Sequence, residues 1–354
     1  MSNVITLNVP PRRVGLHDRA AGLIDCFARH RRVMDDVFWL KENAELLNIL
    51  ECTGQQVAPT ALEPLARFYD SLADRLSFFP QYYRFLLSIG LDLEALGIGG
   101  SQMERLCAWV AQTGLVEAEL SDLQRAEARR LLARRGIGSG DPTLDIRLRA
   151  FIDRPATFAL PNKKAAYELT HIVFYLSEYG RRDPQLSPAA CLSLEYAGIL
   201  AFLDQNMDLL AEICVALRQA GKTPSAVWEG AVRAHAQAFV ISAENDAPLS
   251  DGYHAYLVST WAVAMMGQDD RASPVPTGRC VFTPGRQVES ALRPMSAVLM
   301  ALADARQTSW SSMRDAIYET ITPEAATVIE AARASSRAFD AFFENFARAP
   351  MMRG

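Results

Sequence analysis

The sequence predicts an all-α protein of paired helices, stacked as an α/α superhelix or toroid. Three observations carry this. Apolar residues recur at spacings of three and four, not two, along nearly the whole chain. Ser or Thr followed by Pro stands at Ser187-Pro188, Thr223-Pro224, Thr283-Pro284 and Thr322-Pro323. There the hydroxyl accepts from a free N–H, and proline sits where a missing N–H costs nothing. Glycine closes many of the segments, as at Gly54, Gly97, Gly114, Gly136, Gly180, Gly221 and Gly267.

Between these marks the periodicity gives helices over 17–31, 35–52, 59–76, 79–95, 101–113 and 121–135. A seam follows at 136–161, where GIGSGDP and RPATFALPN interrupt the pattern. It divides an N-terminal helical region, 1–155, from a larger α/α region, 156–354. The seam encloses a helix over 143–153, and beyond it come helices over 162–179, 188–204, 206–220, 224–243 and 251–266. The last three cover 285–306, 308–321 and 323–348. Strand signal is confined to Val4–Val9, which alternates loosely. Residues 268–285, QDDRASPVPTGRCVFTPG, form a long irregular loop suited to a lid. No fixed-period repeat of the tetratricopeptide or ankyrin kind is present.

Composition narrows the function classes. The chain has 354 residues, 50% hydrophobic and 22% charged, with a formal net charge of −5. The acidic balance argues against nucleic acid as a partner. No apolar run reaches the ~20 residues of a membrane span, and the opening MSNVITLNVPPRR lacks a signal-peptide pattern. None of the six cysteines forms a CxxC pair, so they read as reduced, buried residues of a cytoplasmic protein. GIGG at 97–100 and GIGSG at 136–140 follow helices, not strands, and read as caps and turns. The basic runs Arg29–Arg32 and Arg129–Arg135 read as solvated helix ends.

The chemistry-bearing residues concentrate in the centre. On a helix over KKAAYELTHIVFYLSEYG, 163–180, the residues Lys164, Glu168, His171, Tyr175 and Glu178 share an arc of about 80°. This gives a candidate catalytic set: Glu168 orienting the His171 ring, with Tyr175 beside it. Asp204, Asp208 and Glu212 recur at spacings of four on one helical face. With His171 and His254, Asp208 and Glu212 offer ligands for a divalent metal such as Mg²⁺ or Mn²⁺. His235 and His254 also fit core-facing arcs, as buried neutral imidazoles. Arg279 or Arg286 could hold an anionic group beneath the loop.

The segments ELTHIVFY (168–175), DLLAE (208–212) and YHAYLV (253–258) resemble uncharacterised all-helical bacterial proteins over about a quarter of the chain. The resemblance implies that His171, Glu212 and His254 belong to one recurring unit, and it carries no activity. Two functional expectations follow. The first is an acid–base or metal-assisted enzyme of an accessory or biosynthetic pathway, acting on a small-molecule or peptide ligand. The second is a non-catalytic scaffold binding a protein or peptide through methionines such as Met265, Met266, Met295, Met300, Met351 and Met352. A homo-oligomer fits either.

Overall fold

The computed structural model describes residues 16–138, 141–244, 250–267, 274–286 and 288–348. The strand expected over Val4–Val9, Gly140 of the second glycine run, residues 268–273 of the long loop, Met351 and Met352 lie outside them.

The described chain is all-α apart from one short strand pair. Helix α1 (Leu16–Asp25) runs into a π-helical turn, Cys26–His30. Helix α2 (Val37–Cys52) starts where the Asp36 carboxylate accepts from Phe38 N–H at 2.9 Å. Next come α3 (Glu63–Asp70), α4 (Leu72–Phe78) and α5 (Tyr83–Leu96). The single helix expected over 59–76 is broken at Ser71, whose hydroxyl donates back to Phe68 O at 2.8 Å. Gly97 closes α5 in the left-handed region, at φ 96°, which favours glycine. Helices α6 (Gln102–Gln112) and α7 (Asp122–Ala133) complete this half. Its apolar faces form one buried cluster around Trp39, Leu47, Phe68 and Leu87.

The second half opens with α8 (Leu144–Ile152), α9 (Pro155–Phe158) and α10 (Lys163–Leu176). Helices α11 (Pro188–Leu203), α12 (Met207–Gln219) and α13 (Ala226–Gln237) follow. Ser187 caps α11 as expected, accepting from Ala190 N–H at 3.0 Å. Helix α11 is apolar on nearly every face because it is packed on nearly every side. It carries Gly198, where an added Cβ would lie 2.4 Å from the Trp228 ring. Helices α14 (Tyr253–Met265), α15 (Leu292–Ala301), α16 (Trp310–Tyr318), α17 (Pro323–Ser335) and α18 (Phe339–Ala347) finish the chain. These helices share a second cluster, to which Leu144, Leu148 and Ile152 already belong.

Sequence expectations are corrected at several places. Residues 240–243, read as a helix end, form strand β1 (Val240–Ala243), which pairs antiparallel with β2 (Cys280–Thr283). The 268–285 segment is therefore not irregular throughout. Thr283-Pro284 does not cap a helix: Thr283 ends β2, and α15 begins at Leu292. The residue before a proline is biased toward extended backbone, which suits a strand end equally well. The helix expected over 323–348 breaks at Ser336, in extended backbone between α17 and α18. At Thr223-Pro224 the cap moves to Ser225, which accepts from Val227 N–H at 3.3 Å.

Helix α14 joins the two halves. Its Tyr256 and Leu257 belong to the first cluster, and Val258, Trp261 and Ala262 to the second. Helix α7 is shared in the same way through Ala126 and Leu131. Met295 is fully buried, Met265 and Met266 pack against the second cluster, and Met300 is exposed. No described helix is long and apolar enough to cross a membrane.

The run Arg29–Arg32 is not a solvated face throughout. Arg31 is buried under the strand pair, where its guanidinium donates to Glu42, to both Asp251 oxygens and to Cys280 O, at 2.8–2.9 Å. The rings of Phe27, Tyr253 and Phe282 surround it at 5.0–5.3 Å. This residue fastens β2 and the start of α14 onto α2.

Candidate functional site

A cleft of about 240 Å³ opens along the seam between the two clusters. Helix α2 contributes Lys41, Glu45 and Asn48, and α7 contributes Glu127 and Arg130. Helix α10 contributes His171, Phe174 and Tyr175, α12 contributes Glu212, and α14 contributes His254 and Trp261. The volume lies below the ~300–1,000 Å³ usual for drug-sized ligands.

His254 is half-buried at the start of α14. Its Nδ1 lies 2.7 Å from Asp208 Oδ1. The other Asp208 oxygen accepts from the Tyr167 hydroxyl at 2.6 Å. Both carboxylate oxygens are therefore engaged, and the imidazole is fixed with Nδ1 toward Asp208 and Nε2 on its cleft side. Glu45 Oε1 stands 3.9 Å from that Nε2, while its other oxygen accepts from Tyr253 O–H at 3.0 Å. Burial opposes the charged imidazolium. The Asp208 hydrogen bond and the charges of Asp208, Glu45 and Glu212 outweigh it and raise the His254 pKa to about 9. Burial would likewise raise Asp208, but His254 and Tyr167 hold it below the usual carboxylate value.

His171 is anchored differently. Its Nδ1 lies 2.8 Å from the Tyr167 carbonyl oxygen, one turn back on α10. A carbonyl only accepts, so Nδ1 carries the proton of the neutral ring and Nε2 keeps its lone pair. That Nε2 meets no described residue. Glu212 Oε2 lies 3.7 Å from Nδ1 and accepts from the Thr170 hydroxyl at 2.6 Å. Burial raises the Glu212 pKa, against the charge of His171.

The structure thus brings His171, Tyr175, Glu212 and His254 to one cleft, with Asp208 behind His254. It does not bring Glu168 there. Helical side chains lean toward the N-terminus, so Glu168 reaches back to Lys164, 4.0 Å away. The ring it was expected to orient is held by Tyr167 O instead. Tyr175 is buried beside His171, with ring centroids 6.0 Å apart. Burial pushes its pKa well above the ordinary tyrosine value, so its hydroxyl stays protonated. Of the expected metal ligands, Asp208 and His254 are hydrogen-bonded to each other, whereas His171 and Glu212 are bonded to Tyr167 O and Thr170, and among the described residues no three His, Cys, Asp or Glu side chains are arranged to hold a metal ion.

A family model for a domain of unknown function, DUF6902, matches residues 1–349. The chain belongs to this family. No curated protein and no solved structure matches it. The match spans both clusters, so the DUF6902 domain contains the whole cleft.

A second cavity of the DUF6902 domain, about 730 Å³, lies on the far side of Asp208. Tyr167, Asp208, His235 and Arg286 line it. Arg286 therefore faces this space and not the histidine cleft. Burial lowers the His235 pKa, in keeping with a neutral ring. Sequence reasoning missed Tyr167 and Glu45 as partners of the dyad. Tyr167 lies just outside the arc shared by Lys164, Glu168 and His171, and nothing near Glu45 marks it.

Proposed function

We propose that the chain is an acid–base enzyme that acts on a small molecule held in the seam cleft. His254 gives a proton and His171 takes one. The observation that carries this reading is the Tyr167–Asp208–His254 chain of hydrogen bonds. A buried carboxylate that holds Nδ1 of an imidazole fixes the ring and favours its protonated form. His254 is then a general acid at neutral pH.

His171 complements it, because its Nδ1–H is spent on a backbone carbonyl and its basic Nε2 is unpartnered. One imidazole held as a proton donor and a second that presents a free Nε2 suit a reaction that protonates one atom and deprotonates another. Isomerisation and elimination need nothing more than that. The scaffold reading expects the His171 face to be open to solvent, and Lys164 on that face is; His171 is partly exposed, while Tyr175 and Glu212 beside it are buried.

The test is untargeted mass spectrometry of a small-molecule extract incubated with the protein. The wild type is expected to convert at least one component that His254→Gln and Asp208→Asn leave unchanged. Folded wild type that leaves the extract indistinguishable from both variants between pH 6 and 9 would refute the enzyme reading.

A further inference from the structure

The imidazoles occupy one part of the cleft. Elsewhere its wall carries a cation that no acceptor meets. Arg130, on α7, is 5% exposed and lines the cleft. Its guanidinium carbon lies 4.6 Å from the Tyr179 ring centroid and 5.9 Å from that of Tyr175. It makes no hydrogen bond or ion pair with any described residue, and its Nε–H is sealed from water without an acceptor.

The surrounding acids are already engaged. Arg84 holds Glu119 and Glu127, Arg134 holds Asp92, and Arg134 and Arg181 hold Glu51. The other arginines of the same run are paired as well, Arg129 with Asp145 and Arg135 with Glu94. His254 is also a cation in the cleft, but Asp208 and Glu45 offset it. A buried charge with no hydrogen-bonded partner is costly, and the Tyr175 and Tyr179 rings and the more distant charge of Asp92, itself paired with Arg134, offset only part of that cost.

Two further sealed donors line the same cleft, Trp261 Nε1 and Asn48 Nδ2. No sealed acceptor lacking a donor lines it. These three donors are closed to the cleft as well as to water, so the groups of Arg130 left to meet an oxygen acceptor there are Nη1 and Nη2. Beside Arg130 lies a stack of rings. Tyr179 is parallel within 29° to Phe174 and within 26° to Trp261, at centroid distances of 5.7 and 5.9 Å.

We propose that Arg130 anchors a carboxylate of the cleft's ligand, so that the substrate class is a small aromatic or apolar carboxylic acid. The guanidinium meets the carboxylate with parallel N–H bonds, and the ligand's body lies along Phe174, Tyr179 and Trp261. A single uncompensated cation suits a monoanion better than a phosphate dianion. This rests on the cleft being the site proposed above. It does not rest on the proton transfer assigned to the histidines.

The experiment is ligand-observed NMR and thermal shift with benzoate, phenylacetate, their neutral amides and phenylphosphonate. The carboxylates are expected to bind wild type at least tenfold more tightly than the amides, and phenylphosphonate no more tightly than benzoate. Arg130→Met is expected to lose that preference and, without ligand, to melt at or above the wild-type temperature. Arg130→Lys keeps a weakened preference. Benzoate binding is read without turnover, which separates failure of the acid–base reading from failure of this one. The proposal is overturned if no carboxylate binds, if amides or phenylphosphonate bind as well or better, or if Arg130→Met keeps the preference. An Arg130→Met chain that melts several degrees lower overturns it too, because Arg130 would then be compensated within the fold.

Discussion

Arg31 and Arg130 are equally buried, each 5% exposed, and they are treated in opposite ways. Arg31 has two carboxylates and a backbone carbonyl on its donors and aromatic rings around it. Arg130 has a ring beneath it and no acceptor. The first is a cation consumed by the fold, since it fastens β2 and α14 to α2. The second is a cation held open toward a cleft. Burial alone does not separate the two roles; the state of the hydrogen-bond donors does.

The largest effect that sharpens this contrast is expected from Arg31→Met. It leaves Asp251 a buried charge without a cation, and Glu42 with Arg32 alone, and should cost about 3–5 kcal/mol in urea unfolding. A loss under about 1 kcal/mol would mean that Arg31 does not bind the halves together.

His254 stands between the two arginines, with one good acceptor and an open Nε2. Its folded pKa, about 9, lies above the ordinary value of 6.5. The stability it adds is therefore complete below about pH 6.5 and is lost as pH rises through about 9. Asp208, shifted the other way, adds stability above the ordinary value of 3.8 that is lost as pH falls through its lowered pKa. Melting temperatures taken from pH 6 to 10 should fall more steeply for wild type than for His254→Gln. Parallel curves would contradict the Asp208 pairing.

Arg130→Met is smaller and opposite in sign to Arg31→Met. Relief of an uncompensated charge should change stability by between about zero and +2 kcal/mol, read by the same urea titration. The smallest effect belongs to Glu168→Ala, which should stay within about 0.5 kcal/mol and leave benzoate binding intact. A loss of binding there would restore Glu168 to the role that the sequence suggests.

These contrasts also mark what the sequence could disclose. Local signals were legible. Ser187-Pro188 and Thr322-Pro323 start helices, and Gly97 ends one, because caps are decided by a few adjacent residues. Asp208 and Glu212 lie one turn apart on α12, but Asp204, read with them as one face, ends α11 and pairs with Lys163. Thr283-Pro284 misled because the same dipeptide serves a cap and a strand end. Strand β1 was hidden because four apolar-leaning residues after a helix show no period of their own.

Long-range pairing was illegible. Arg129, Arg130, Arg134 and Arg135 look alike on a helix end. Only the fold places Asp92 and Glu94 against two of them and sets Arg130 in the wall of the cleft. Likewise, Tyr167 and Glu45 enter the site through partners 41 and 208 residues away.

The measurement that tests the central claim most directly is the ionisation of the His254 ring, followed by ¹⁵N NMR of the imidazole nitrogens from pH 5 to 10. The account predicts a cationic ring at pH 7 that loses its proton near pH 9, and in Asp208→Asn a titration moved down toward 6.5. A ring already neutral at pH 7 in the wild type, or one indifferent to Asp208→Asn, would contradict it and remove the acid from the cleft.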